Sequence, residues 1–521
     1  MSSIVRAPTD VKDGHTISEK SLSNFSATDD PDTFLSPEEE RKLKRKIDLR
    51  IVPYFSLLYL LSFLDRVNIG QARTASLEKD LNLSNHQYQI ALTVFFASYV
   101  FFEIPFNVLL RRYKPHRVIT ISVITWSIVM ICMGLVHDFG GLVATRVMLG
   151  LAESMLFPGL NMLLTHWYTR NESNIVVSIF FAGATLAGAW GGLLAYGIRH
   201  MAGVGGKPGW AWIFILEGLL TLLCAIPGWW IIPDFPENSK FLTDKERKQW
   251  IARLQRSQGL TSIPVPFTWD QIIRAFKDWR AYVYALTYIG IAQPFYSLAL
   301  FTPTIILGLG QKNSQANLFS VPPYALGFCS TIIFALLSDR VMMRGPFIIL
   351  GMGITIIGYI ILLTPQSFAV QYVALHLCVI GCCPCIATCI TWVGNNFGPI
   401  YLRAAVMGLF FTTGNSAGFV SSNVYPSRDS PRFFMGHGVA IGFAAMAIVC
   451  SIILMVDNAR NNRERDSKYG VVNVRGKEAI DMASGKVVDP YDRARWGLDA
   501  NMSDSEIVNL GDRHPAYRYV P

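Results

Sequence analysis

The chain has 521 residues, 51% of them hydrophobic and 16% charged, with a mean hydropathy of +0.33 and a formal net charge of +9. Soluble domains carry about a quarter charged residues; the deficit here, concentrated in long apolar runs, places the chain among membrane proteins, with the lipid bilayer as a partner. The Lys and Arg residues fall between apolar runs and in the tails, a topology signal that argues against a nucleic-acid partner.

Residues 1–45 are assigned to a cytosolic N-terminal tail, disordered over 1–40, where the chain is polar, rich in Ser and Asp, and free of the apolar stretch of a cleavable signal peptide. Residues 38–50 read as an amphipathic entry helix, capped by Ser36 with Pro37 in its first turn. Apolar stretches follow near 51–71, 86–110, 116–136, 141–166, 174–199 and 210–232. A charged interval spans 233–280. Six more stretches lie near 281–308, 319–338, 346–364, 369–393, 403–424 and 437–456.

About twenty apolar residues cross a bilayer as a helix. The expectation is an all-α membrane protein of about twelve spans in two six-helix halves, 46–233 and 281–457, joined by a cytosolic loop, 234–280. A cytosolic C-terminal tail, 458–521, is expected to be polar and flexible apart from short local order. Basic residues collect in alternate loops (Arg111 to Arg117, the central interval, Arg340 to Arg344, Arg460 to Lys468), which puts both termini in the cytosol. Paired six-helix halves imply a central cavity with a solute site at mid-membrane.

The nine cysteines all lie in apolar segments, where thiols behave as small hydrophobes. Cys382-Cys383-Pro384-Cys385 lacks a nearby His or carboxylate at zinc-like spacing, so neither a metal nor a cofactor is expected. No nucleophile–base set is apparent, which argues against an enzyme.

Charged side chains inside spans are the informative residues, because each costs about 2.5–3.5 kcal/mol at bilayer depth on insertion scales. Span one carries Asp65, Arg66 and Asn68. Asp65 and Asn68 share a face, and Arg66 lies about 100° around from Asp65. Span four carries Arg146 and Glu153 on one stripe, about 10 Å apart along the axis. Facing lipid would be too costly, so these groups are expected to face the bundle interior. Desolvated carboxylates such as Asp65 and Glu153 suit proton exchange. The guanidiniums of Arg66 and Arg146 suit a substrate carboxylate held by paired hydrogen bonds. A competing reading has the four groups as ion pairs locking spans one and four, and a mixed reading has the pairs form in one state and break in another.

Glu103 in span two reads equally as an anchor for the following turn, and Glu217 in span six has the same standing. His376 reads as a packed, hydrogen-bonded residue. The C-terminal half offers neutral polar groups, among them Tyr288, Gln293, Tyr296, Asn396 and Asn415, which suit hydrogen bonding to a solute or to neighbouring helices. Glycines 183, 188, 191 and 192 in span five read as helix-packing positions.

Four motifs in order carry a family resemblance: Phe63-Leu64-Asp65-Arg66-Val67-Asn68-Ile69-Gly70, Arg146 to Glu153 with Phe157-Pro158-Gly159, Trp210 to Gly218, and Pro233-Asp234-Phe235-Pro236. From about Lys44 to about Asp466 the chain resembles the anion:cation symporter branch of the major facilitator superfamily, and within it the fungal allantoate and nicotinate permeases. The resemblance implies the major facilitator fold, with Asp65 and Glu153 as proton sites and Arg66 and Arg146 as substrate sites. It places Asn415 at a substrate-contacting position in span eleven. It also implies gating turns at Arg111 and Arg112 and at Asp339 and Arg340. The first of these departs from the superfamily pattern by lacking its acidic residue, which Asp339 keeps in the second half.

Residues and resemblance together point to proton-coupled uptake of a small organic anion, such as nicotinate or allantoate, by a monomer. The plasma membrane is the expected site, with the vacuolar membrane as the alternative. Export by proton antiport and a non-transporting nutrient sensor are the other two readings.

Overall fold

A computed structural model of the chain describes residues 35–258, 269–311, 313–364, 367–398, 400–473, 480–481, 492–502, 506–507 and 510–521, without some helical side chains, among them those of 107–112. The expected disordered segment before residue 35 lies outside the described residues.

Among the described residues the fold is all-helical apart from a two-residue antiparallel ladder, Val472–Asn473 with Ile480–Asp481. In order, the main helices are α1 (Pro37–Thr74), α2 (Asn85–Arg112), α3 (Pro115–Met133), α4 (Phe139–Glu153, resuming at Leu156–Trp167), α5 (Arg170–Ile198) and α6 (Gly209–Ala225). The second set is α7 (Trp279–Gly308), α8 (Val321–Val341), α9 (Gly345–Leu363), α10 (Phe368–Asn396), α11 (Ile400–Asn415, resuming at Ala417–Asn423) and α12 (Phe434–Tyr469). Long helices are what such runs must form, since lipid offers no partner for backbone N–H and C=O groups. Ten of these helices are long and apolar enough to cross a membrane.

The entry helix is not a separate element. It runs without a break into the first span, through Pro53, as one helix of 38 residues. Ser36 and Glu39 form a reciprocal capping box at its start: the Glu39 N–H donates to Ser36 Oγ at 3.2 Å and the Ser36 N–H donates to Glu39 Oε2 at 2.9 Å.

The halves, α1–α6 and α7–α12, meet toward the end of the bundle that holds the α1–α2 and α7–α8 turns, called here the far end. A Cβ at Gly70 would overlap the Leu300 carbonyl oxygen, so α1 and α7 touch backbone to backbone. Thr74 Oγ1 donates to Asn317 Oδ1 at 2.9 Å, and Asn423 Nδ2 donates to Thr93 Oγ1 at 3.1 Å. The span-five glycines serve two neighbours: Gly183 and Gly191 face Ser56 and Leu64 of α1, while Gly188 and Gly192 face Tyr324 and Ser320 beside and in α8.

At the near end, the first part of the central interval sits on the N-terminal half. Trp250 Nε1 donates to the Trp167 carbonyl at 3.1 Å, and His116 Nδ1 lies 2.7 Å from Asp234 Oδ1. Glu172 at the start of α5 binds both Lys44 (2.8 Å) and Arg253 (2.7 Å), and Arg253 also binds Glu40 (2.7 Å).

The C-terminal tail is less free than expected. Asn396 and Val520 exchange hydrogen bonds: Asn396 Nδ2 donates to the Val520 carbonyl at 3.0 Å, and the Val520 N–H donates to Asn396 Oδ1 at 2.8 Å. Trp392 Nε1 and Asn458 Nδ2 donate to the same carbonyl at 2.8 and 3.1 Å. Arg274, in the short helix Trp269–Lys277, binds Asp512 at 2.9 Å. The tail thus fills the near end of the C-terminal half.

Candidate functional site

Asp65 and Arg66 are neighbours in sequence but point to different places. Asp65, fully buried, faces the interior of its own half: Trp126 Nε1 of α3 donates to its Oδ2 at 3.1 Å and Thr221 Oγ1 of α6 at 3.4 Å. Arg66 faces the junction of the halves. Its Nη2 binds Glu153 Oε2 at 3.0 Å, and its Nη1 donates to the Tyr296 hydroxyl of α7 at 3.4 Å. The guanidinium also lies over the Tyr99 and Phe95 rings of α2, 4.7 and 5.3 Å from their centroids, within cation–π reach.

From Tyr296 the bonding continues across the centre. Its hydroxyl donates to Asn415 Oδ1 at 2.9 Å, and Asn415 Nδ2 donates to both Glu103 oxygens, at 3.4 and 3.3 Å. The sequence Glu153–Arg66–Tyr296–Asn415–Glu103 therefore joins α4, α1, α7, α11 and α2, two helices of one half to three of the other. Glu103 is no mere anchor for the α2–α3 turn; it is buried and bonded to the opposite half.

Asn68 lies on the Asp65 side, hydrogen-bonded to Glu217 of α6. Glu153 marks the interruption of α4, and its bonded partner is Arg66, not Arg146. Arg146 is buried with Tyr88, Glu153 and Asp65 as charged or polar neighbours, and among the described residues its Nε and Nη2 have no hydrogen-bond partner. Tyr288 stacks on Phe410 of α11 with centroids 4.1 Å apart, and it sits on Gly414. Gln293 is outside the chain of bonds, its Nε2 donating to Ser297 Oγ at 3.0 Å.

The clefts described, about 410 Å³ beside Asp270 and Arg513 and about 320 Å³ beside Gly308 and Arg432, lie at the two ends of the bundle, while the central groups contact one another directly.

Residues 55–422 match the family model of the Major Facilitator Superfamily. The chain belongs to the major facilitator superfamily. It is similar to the uncharacterized transporter C11D3.18C of Schizosaccharomyces pombe, at 36% identity over 83% of this chain and 87% of that protein. It is 30% identical to the high-affinity nicotinic acid transporter of Saccharomyces cerevisiae, over 95% of this chain and 88% of that protein. Among solved structures it resembles the proton:xylose symporter XylE, with a TM-score of 0.60 at 14% identity, over 78% of this chain and 95% of that one. A bacterial Spinster homologue in an inward-facing conformation gives 0.57 at 16% identity, over 78% and 94%. At those identities the structures show the fold, and the relatives make this chain a multi-pass membrane transporter of a small molecule.

Of the gating positions expected from the superfamily pattern, Asp339 binds Arg344 of the same turn, not Arg340, which is exposed. Arg344 also donates to Ser338, and its backbone N–H donates to the Pro521 carbonyl at 2.8 Å. The side chains of Arg111 and Arg112 lie outside the described residues.

The sequence reading missed Trp126 and Thr221. A Trp in the middle of an apolar span is a usable signal, because its N–H needs an acceptor when buried.

Proposed function

We propose that this chain is a proton-coupled importer of a small organic anion, and that Arg66 is the group on which coupling turns. The observation that carries the proposal is the 3.0 Å bond between Arg66 and Glu153, buried where the two halves meet. A guanidinium offers a planar fork that fits one carboxylate edge-on. A substrate carboxylate arriving at Arg66 competes with Glu153 for that fork. Glu153, left without its cation in a low-dielectric interior, then takes a proton, because an unpaired buried carboxylate is costly. Anion and proton thus load together, and the pair crosses with the anion's charge balanced against the membrane potential.

Asp65 is the second proton group of the N-terminal half, held by neutral donors beside Arg146. Arg146, with unused donor atoms, is the second substrate cation. Asn68 orients the Asp65 face through Glu217. Tyr288 and Asn415, on the opposite half, contact the neutral part of the solute, with Gln293 as their support on α7. The near-end turns at Arg111, Arg112, Asp339 and Arg340 act in gating. The far end is the outer one and both termini are cytosolic, following the positive-inside pattern. The plasma membrane is the proposed location and the monomer the proposed unit.

Nicotinate is the first candidate, from the similarity to the Saccharomyces transporter. The test is radiolabelled nicotinate uptake by cells expressing the chain, at acidic and neutral outer pH, followed by a panel of other organic acids. Stimulation by outer acid supports the proposal. A panel without any acid-stimulated uptake rejects it.

A further inference from the structure

Four carboxylates, Asp65, Glu103, Glu153 and Glu217, and two guanidiniums, Arg66 and Arg146, are buried in the transmembrane interior of the N-terminal half. Ionising all six leaves two negative charges without a cation, and an isolated buried charge is neutralised by a proton sooner than it is tolerated. Arg66 is committed to Glu153, and Arg146 has Asp65 and Glu153 as its acidic neighbours. Glu103 and Glu217 are the surplus. They differ in position: Glu217 is enclosed within one half by Asn68, whereas Glu103 meets the opposite half through Asn415.

We propose that Glu103 is a further proton-binding site, at which a proton acts on the contact between α2 and α11. Among the described residues, the groups facing Glu103 are Tyr99 of its own helix, Tyr59 and Arg66 of α1, Tyr288 and Tyr296 of α7, and Asn415 of α11. Arg66 is the one cation among them, and its two Nη groups are engaged by Tyr296 and Glu153. The bonds between Arg66 and Glu103 all run one way: Arg66 donates to Tyr296, Tyr296 to Asn415, and Asn415 to Glu103. An ionised Glu103 terminates that sequence as a charged acceptor, and charge-assisted hydrogen bonds are roughly twice as strong as neutral ones. A proton drawn from water removes the charge, weakens the Asn415 bond, and loosens one half from the other. The group at the opposite end of the chain, Glu153, is the one that substrate displaces, so the two ends are coupled through Arg66.

The part played in transport rests on the function proposed above; the proton site itself needs no substrate to be tested. The experiment is infrared pH-difference spectroscopy on the purified full-length chain in lipid nanodiscs. The carbonyl stretch of protonated buried carboxylic acids is compared in wild type, Glu103→Gln, Glu153→Gln and Asn415→Ala. Loss of one titrating band in Glu103→Gln is expected, with a different band lost in Glu153→Gln. In Asn415→Ala the Glu103 band is kept but moved to higher frequency, because its carbonyl has lost a donor. A Glu103→Gln spectrum superposing on wild type overturns the proposal. Should that variant fail to fold, an Asn415→Ala spectrum without a displaced band overturns it. A band lost in Glu103→Gln with none lost in Glu153→Gln leaves this site standing and removes Glu153 from the proton role.

Discussion

Arg66 is the residue on which pairing and packing converge, together with the proposed binding of substrate. It holds Glu153, reaches Tyr296 and lies over two aromatic rings. Lys keeps the charge but loses the fork and the flat face that stacks on Tyr99 and Phe95. Arg66→Lys is expected to raise the KM for nicotinate by about tenfold or more, the equivalent of one charge-assisted bond of about 1.5 kcal/mol; an unchanged KM would assign Arg66 to packing. Asp65→Asn removes a carboxylate that is distant from this fork in the bonding. It is expected to abolish accumulation against a gradient while leaving substrate exchange partly intact, as counterflow in proteoliposomes would read. That these residues turn inward was legible from their mere presence in apolar stretches. Their partners were not, because α1 is buried on every face from Leu61 to Ala72, so periodicity does not say which way it is turned. Asp65 and Arg66 differ by about 100°, enough to send one into its own half and the other to the opposite one.

At the scale of elements, α2 and α11 meet at the centre of the molecule. They bond to each other through Glu103–Asn415 and Thr93–Asn423. Polarity on these two helices marks faces turned to the other half. The sequence reading used it for Asn415 but discounted it for Glu103, whose place near the near-end turn concealed its reach across the junction. The breaks in α4 after Glu153 and in α11 after Asn415 were also hidden, since an apolar run does not record where a helix pauses. The backbone contact of Gly70 with Leu300 leads to an expectation at this scale. Gly70→Val introduces a side chain where none fits, forcing α1 from α7 at the far end. A cysteine placed at Asn317 should then react faster with a membrane-impermeant thiol reagent added outside than the same cysteine without the Gly70 change. Equal rates would show that the far end does not close on Gly70.

For the molecule as a whole, the twelve-helix plan was legible in the spacing of apolar runs, and the tail's docking was not. Asn396, Trp392 and Asn458 look like ordinary polar or amphipathic residues near span ends until the carbonyl of Val520 is seen among them. Asn396→Ala leaves a buried Tyr284 hydroxyl without its 2.6 Å donor and the Val520 N–H without its acceptor. A stability loss of about 1–3 kcal/mol is expected, read as a lower melting temperature of the purified chain; an unchanged value would show that the tail is not held there. The near-end clamp on Glu172 has a defined response to acid. Burial raises its carboxyl, but hydrogen bonds and charge from Arg253 and Lys44 outweigh this and lower it from 4.5 to about 2. A carboxyl depressed by folding contributes stability above its unfolded value and loses it only as pH falls toward the folded one. The clamp therefore persists through mildly acidic pH, and the acid stimulation proposed for transport is expected to originate elsewhere, in the membrane carboxylates. Charge-neutral Glu172→Gln should accordingly lower thermal stability while leaving the shape of the pH–uptake curve unchanged.

The most direct measurement is proton uptake on ligand binding by the purified chain in weakly buffered solution, with nicotinate and a panel of small carboxylic acids added in turn. If Arg66 exchanges Glu153 for the substrate carboxylate, a binding acid makes the medium more alkaline, and Glu153→Gln abolishes or sharply reduces that change while binding persists. Binding with no proton taken up, or with the same uptake in Glu153→Gln, would contradict the exchange.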